Sequence, residues 1–550
     1  MPITQSAATV GLIAAVVSVL LMLSAAPTLA AAGQAPSIPE IVHSDGQYRL
    51  MVDGQPFLAL AGQAHNSSAS NRDDIERACQ AVTAIHGNLL IIPIYWELIE
   101  PRPGQFDFQV VDDVIAAARR HELRLVLLWF ATWKNGEMNY APEWVKADRK
   151  RFRRVIGLRG EELNVISPLC KAARDADASA FAAVMQHIRE IDETQRTVIM
   201  VQVENEPGLM GSDRDYSTEA TRLFNRPVPA SLMSYLDQHR EGLSESMQAA
   251  WGASGYRSQG TWAEVFGRMA TEAFSAWHIA RYIDRVAAAG KQAYPLPMYA
   301  NAWLVEPHVE RPGRWPSGGP TEHVLDIWKA AAPHLDLLAP DIYYPKFYDN
   351  ASHYARPDNP LFVPEVNFHP FFGALVFMTF ATFDGICFSP FGIDDALQDG
   401  ELSFKAAEFE DAYRVLRPLL PLVLRYQYTG KLHAVIQGIG PGEHWAQCVA
   451  LGGRTVAAMV EFTVTFDPEK GRGRGMMIEL APDDYVIAGA GFKVAFRTLQ
   501  GPLRDVELVS VEEGTFEGER WIPERQLTGD ELRVHLPEQS KILRVRVAAP

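Results

Sequence analysis

The stretch Val201–Gly208, VQVENEPG, closes an apolar run with two carboxylates on either side of an amide. Burying a charged group costs several kcal/mol unless it is paired. A strand that ends in Glu204, Asn205 and Glu206 therefore ends at an exposed loop or at a site that uses them. The run RTVIMVQVENE follows a helix-like segment, SAFAAVMQHIREID, so the acids stand where a strand emerges after a helix.

The same order recurs along the chain. PFLALAGQ is the first strand-like run. GNLLIIPIYW follows a helical segment from Asp73 to Ile85, and LRLVLLWF follows VVDDVIAAARRHE. LPMYANAW, LDLLAPDIYY, PLFVPEVNF and FDGICFSPFG come later and bring the number of candidate strands to eight. Near-continuous apolar runs suit parallel strands buried on both faces. Eight alternations predict a (β/α)8 TIM barrel over residues 40–425. No G-x-G-x-x-G follows the first strand, which argues against a doubly wound open sheet. A helical insertion at roughly 209–290 is expected on the rim of the barrel mouth. After LRPLLPLVLRYQYTG the character changes, and short alternating runs with Gly, Asp and Pro turns predict a smaller antiparallel β-sandwich over 430–550.

The chain has 550 residues and a formal charge of −16. An acidic chain without a basic cluster argues against nucleic acid and anionic membrane surfaces as partners. Residues 1–30 hold a long apolar segment, AATVGLIAAVVSVLLMLSAA, followed by Pro27 and small residues. This predicts export to the periplasm or beyond, with cleavage near Ala30. The alternative is an uncleaved anchor, because the apolar run approaches the ~18–20 residues that span a bilayer. Cys79, Cys170, Cys387 and Cys448 lie far apart, without zinc spacing; export would permit pairing, and a buried free thiol is the reading for Cys387, which sits in the apolar run FDGICFSPF.

In such a barrel the C-terminal strand ends build the active site. Strand one ends near Gln63 and His65, strand two at Tyr95, Trp96 and Glu97, and strand three at Trp129, Trp133, Lys134 and Asn135. Strand five ends at Asn301 and Trp303, strand six at Asp341, Tyr343 and Tyr344, strand seven at Glu365 and Asn367, and strand eight near Asp384 and Ser389. Carboxylates on strands four and seven face each other across the mouth. Glycoside hydrolysis needs such a pair, one to protonate the leaving oxygen and one to attack the anomeric carbon. Aromatics around them would stack on sugar rings. No phosphate loop, metal-ligand cluster or G-x-S-x-G elbow competes.

These motifs resemble the retaining glycoside hydrolases of the 4/7 barrel superfamily, clan A, which carry Asn-Glu at the end of strand four. More narrowly, VQVENEPG, IPIYWELIEPRPGQFDF and VPEVNF are similar to segments of family 35, the β-galactosidases, in a bacterial subgroup with a single C-terminal β-domain. The resemblance implies Glu206 as acid/base, raised toward neutrality by the nearby charge of Glu365, and Glu365 as nucleophile. It implies Asn205 on the sugar 2-hydroxyl, Tyr95 lining the galactose site, and Tyr343 or Tyr344 donating to Glu365. Glu204 is expected behind the site, a buried acid paired with an arginine. His65 matches the family's early histidine, but the arginine expected after it is missing. The strand-three segment LLWFATWKNGEMNYAPEWV also departs, so Trp133, Lys134 and Asn135 are candidates by position, as is Trp303 on strand five.

The function implied is a retaining exo-glycosidase that releases terminal β-D-galactose, with a carbohydrate substrate and no cofactor or metal. The alternatives are another retaining β-glycosidase of the superfamily, such as a family 42-like galactosidase, a mannosidase or an endo-glucanase, and a sugar-binding protein without turnover.

Overall fold

A computed structural model describes residues 37–548 apart from 307, 310, 345, 440–444, 453–454, 468–470 and 500–503. The export segment expected at 1–30 lies outside the described residues. Among the described residues, no helix is long and apolar enough to cross a membrane.

Eight parallel strands close into a barrel in chain order. They are β1 (Ala59–Gln63), β2 (Leu89–Tyr95), β3 (Arg124–Lys134), β4 (Val198–Asn205), β5 (Met298–Trp303), β6 (Leu337–Ile342), β7 (Phe362–Val366) and β8 (Cys387–Pro390). β1, β2, β4, β6, β7 and β8 are buried at every position, as continuous apolar runs with helices outside and packed side chains inside require. The connecting helices include α1 (Arg72–Ala84), α2 (Gln109–Arg120), α3 (Lys171–Asp192) and α4 (Ala270–Ala293). α1 starts where the Asn71 side chain accepts from the Asp74 amide at 2.9 Å, which satisfies one of the orphan donors of its first turn. The (β/α)8 TIM barrel expected from the alternation is present.

Strand register sets the height of the polar ends. Trp303 pairs with Asp341 across β5 and β6, and Asp341 pairs with Glu365 across β6 and β7. Lys134 pairs with Asn205 across β3 and β4. Beyond β4 the chain passes close under residues 313–317, where Leu209 and Ser317 form a bridge. A Cβ on Gly208 would lie 2.4 Å from that of Pro316, so the close approach requires glycine. Four short helices between residues 218 and 266 fill the insertion after β4.

Beyond the barrel, α5 (Phe404–Leu416) leads to two antiparallel sheets. The larger has six strands, from Leu432–Ile436 to Lys541–Val547, and the smaller has four, including Val456–Phe462 and Phe492–Thr498. They share an apolar core of residues such as Met477, Tyr485, Phe462 and Phe492, which is the C-terminal β-sandwich read from the alternation. Glu408 of α5 holds Arg474 of the six-stranded sheet at 2.8 Å. The four cysteines are free. Cys387 is buried as expected, as are Cys79 and Cys170, whereas Cys448 is exposed on the outer side of the small sheet's first strand.

Candidate active site

At the C-terminal mouth of the barrel a cavity of about 350 Å³ is lined by Lys134, Asn135, Glu206, Trp303, Asp341, Tyr343 and Glu365, with Asn66, Glu306, Tyr344 and Phe391 around them. One carboxylate oxygen each from Glu206, Asp341 and Glu365 lies within 4.8 Å of the others. Three buried carboxylates at this spacing can share a proton or a cation. Lys134, on β3, brings a positive charge that acts on both Glu206 and Asp341.

Each acid is held by donors from a different strand. Asn135 Nδ2 donates to Glu206 Oε2 at 2.7 Å, and the Glu206 amide donates to Asn301 Oδ1 at 2.8 Å. Glu365 accepts from Gln63 Nε2 on one oxygen and from the Tyr343 hydroxyl on the other, both at 2.6 Å. Asp341 Oδ2 accepts from Asn301 Nδ2 at 2.7 Å. Asn301 thus ties the Glu206 backbone to the Asp341 carboxyl. Tyr343, rather than Tyr344, is the tyrosine on Glu365. Tyr344 stands at the rim and hydrogen-bonds with Glu306.

The electrostatics follow from burial. Glu206 is 5% exposed, and desolvation, reinforced by the charge of Glu365, pushes its carboxyl up to about 7. Asp341 is raised well above the usual aspartate range, by desolvation first and then by the charges of Glu365 and Glu206. The Tyr343 phenol is likewise raised by burial and by Glu365, so it remains a donor.

The other residues singled out in the sequence divide into those near the cavity and those behind it. Asn205 is fully buried between Gln202 and Asn301, and its carboxamide stands 3.0 Å from Lys134 Nζ. Tyr95 does not line the cavity. Its hydroxyl accepts from the Ala69 amide at 3.1 Å, and its ring stacks on Tyr140, so it supports the loop that carries Asn66. Trp133 is fully buried and sits edge-on to Tyr282, away from the opening. His65 points to Asp394 at 2.8 Å and touches the cavity only through its edge contact with Phe391. Among the described residues, no lining side chain comes from 209–290, so the expected rim role of the insertion falls instead to residues 303–306 and Tyr344.

Two residues carry more than their place at a strand end implies. Gln63, closing β1, reaches Glu365, and Asp341, near the end of β6, joins the carboxylate cluster. Each is a polar residue at the inward end of an otherwise apolar strand, which is the signal that marks them. Glu204 is behind the site as expected, but its partner is not an arginine. Its Oε2 accepts from the Trp133 amide at 2.7 Å, and its carboxyl hydrogen-bonds with that of Asp177.

Residues 65–267 match the family model described as "Beta-galactosidase", that of glycoside hydrolase family 42. This window contains Glu206 and ends before Glu365. The motifs resemble family 35, with a family 42-like enzyme as the alternative, and the matched model is the alternative's. Residues 409–537 match a "Domain of unknown function (DUF5597)". A curated protein named "Beta-galactosidase" from Xanthomonas manihotis is 26% identical over 182 residues, 31% of this chain. That match spans 27% of the relative's own length. Among solved structures, the β-galactosidase from Bacillus circulans sp. alkalophilus is 13% identical, covering 67% of this chain and 57% of its own, with a TM-score of 0.45. The exo-β-1,4-mannosidase from Opitutaceae bacterium strain TAV5 is 12% identical, covering 68% of this chain and 62% of its own, with a TM-score of 0.38.

Proposed function

We propose that this chain is a retaining exo-β-glycosidase acting on terminal β-D-galactosides, with Glu206 as acid/base and Glu365 as nucleophile. The observation that carries the reading is the approach of the Glu206 and Glu365 carboxylate oxygens to within 4.8 Å. A double displacement needs the two carboxyl groups at ~5–5.5 Å, whereas an inverting enzyme leaves ~6.5–9.5 Å for a water. The difference in their surroundings supports the two roles. Glu206, raised to about 7, retains a proton to give to the leaving oxygen. Glu365 accepts one hydrogen bond on each oxygen, which holds the carboxylate in place for attack.

In the first step the Glu206 proton passes to the glycosidic oxygen as the C–O bond breaks and a Glu365 oxygen bonds to the anomeric carbon. In the second, Glu206 takes a proton from water, the water oxygen attacks that carbon, and Glu365 leaves. A cavity of about 350 Å³ is at the small end of ligand pockets, ~300–1,000 Å³, and suits one sugar residue rather than a row of subsites. The galactose assignment draws on the family matched over residues 65–267.

A panel of nitrophenyl β-glycosides, with Glu365→Ala assayed in azide, tests the proposal. Turnover of the β-galactoside, with α-galactosyl azide formed by the variant, is expected. Turnover of a different β-glycoside, with the α-azide of that sugar formed by the variant, would keep the mechanism and replace the sugar. Folded protein inactive on every glycoside would overturn the reading.

A further inference from the structure

Asp341 is 2% exposed, and its two oxygens are treated differently. Oδ2 accepts from Asn301 Nδ2 at 2.7 Å. Oδ1 is buried and meets no donor. An ionised oxygen left in that state bears the full desolvation cost of a charged group. The acidic groups beside it are Glu206 and Glu365, and once Glu206 has given its proton to the leaving oxygen it can only accept. In that state the orphan oxygen gains a partner there by carrying a hydrogen itself.

We propose that Asp341 is a positioning residue that stays in its neutral acid form and donates a hydrogen bond from its carboxyl to Glu206. This rests on the glycosidase reading for its consequence, though not for its chemistry. Asn301 fixes the carbonyl end of Asp341, which orients the O–H end toward Glu206. The proton on Asp341 is not transferred in either step. It strengthens its bond to Glu206 when Glu206 has given its own proton to the leaving oxygen, because the acceptor is then an anion. Asp341 thus favours the acid step and keeps a further negative charge out of the cavity.

The titratable groups that act on Asp341 are Glu365 and Glu206 in the cavity and Lys134 from β3. Tyr299 on β5, Tyr343 after β6 and Tyr354 on the following helix also feel its charge. Of these only Lys134 is cationic. Its charge opposes, but does not outweigh, burial and the two glutamates, and Asp341 is raised on balance.

The test uses wild type, Asp341→Asn and Asp341→Leu, with kcat/KM followed against pH on the best aryl β-glycoside. Asn can accept from Asn301 and donate to Glu206, so its alkaline limb stays with that of wild type. Leu removes the donor, and the alkaline limb rises by about one pH unit because Glu206 then ionises less readily. A limb that falls in both variants would mean that Asp341 is charged in the wild type, and would overturn the proposal. A limb unmoved in Leu, with only kcat reduced, would reduce Asp341 to packing and overturn it too. Infrared difference spectra of wild type minus Asp341→Asn at neutral pH read the proton directly. The C=O band of a neutral carboxyl is expected in wild type, and its absence would sink the proposal. This arm needs no turnover, so it separates failure of the inference from failure of the glycosidase reading.

Discussion

Glu204 and Glu206 end the same strand two residues apart, and both are buried. Glu206 opens onto the cavity with Asn135, Asp341 and Glu365 around it. Glu204 turns the other way, into a sealed layer behind β3 and β4. There it accepts from the Trp133 amide and shares a hydrogen bond with Asp177. Asp177 in turn accepts from Trp129 Nε1 at 2.9 Å and from Thr132 Oγ1 at 2.6 Å. Desolvation raises the carboxyl of both glutamates. A raised carboxyl therefore does not mark a reacting group in this protein. What separates the two is access: one raised acid meets an opening a sugar can enter, and the other meets only packed side chains.

Replacing the two acids should break the comparison cleanly. Glu206→Ala is expected to lower kcat on substrates with poor leaving groups by about 10²–10⁴, the usual worth of a general acid, with a smaller loss on activated aryl glycosides. Steady-state kinetics over a leaving-group series checks this, and a uniform loss would take the acid role away from Glu206. Glu204→Ala should act through stability instead. It orphans the Trp133 amide and leaves a cavity, for a cost of about 3 kcal/mol in denaturant unfolding. Glu204→Gln can still accept from Trp133 and donate to Asp177, and should cost less than about 1 kcal/mol.

The pH dependence of stability sharpens the contrast. Glu206 is raised in the folded state, so folding opposes its ionisation. The stability of the neutral form is fully present below the unfolded value, about 4.5, and is lost as pH rises toward about 7. Glu206→Gln removes that loss. The variant should match wild type near pH 4 and exceed it by about 3 kcal/mol above pH 7. Urea unfolding at the two pH values measures the difference. Equal stabilities at high pH would mean that Glu206 is not raised.

Tyr343→Phe tests the donor side of the site. Loss of one hydrogen bond to a charged acceptor is worth about 1.5–3 kcal/mol, or roughly 10- to 100-fold in kcat/KM. The fold should be unaffected, since the ring still packs toward Phe391. An unchanged kcat/KM would place the charge of Glu365 under the control of Gln63 alone.

Much of this architecture was legible because it rests on patterns with a physical cause. Apolar runs separated by helical stretches have few solutions other than a barrel, and polar residues at strand ends have few uses other than a site. Glu206, Glu365, Asn135, Trp303 and Tyr343 all reached the cavity on that logic. What the pattern missed depends on backbone geometry and on the far side of each strand. Glu204 lies behind the site as expected, but for a reason alternation does not supply, since a strict two-residue alternation would put Glu204 and Glu206 on one face. They part because both adopt left-handed backbone, with φ of 65° and 44°. No periodicity in the sequence announces that turn. Tyr95 and Trp133 failed for a related reason: an aromatic at a strand end supports a neighbouring loop as readily as it lines an opening. The choice is made by contacts with Ala69 and Tyr282 that lie far away in sequence.

His65 and Gln63 give the smallest effect and the finest test of the same point. Gln63 closes β1 and His65 follows it two residues on, and the resemblance favours His65. In the structure the histidine is committed elsewhere. Its Nδ1 lies 2.8 Å from Asp394, whose other oxygen accepts from Ser68 at 2.6 Å, and the ring is about two-fifths exposed. Hydrogen bonding to Asp394 raises the histidine, so the pair is anchored by charge outside the cavity. His65→Ala should therefore lose only the weak coupling through Phe391, a change of less than about 1 kcal/mol, or within about fivefold in kcat/KM. Gln63→Ala, which strips a 2.6 Å hydrogen bond from Glu365, should exceed it several-fold. The reverse order in a kinetic comparison would mean that the sugar reaches past Phe391 to the histidine, and that the working site extends beyond the cavity toward β8.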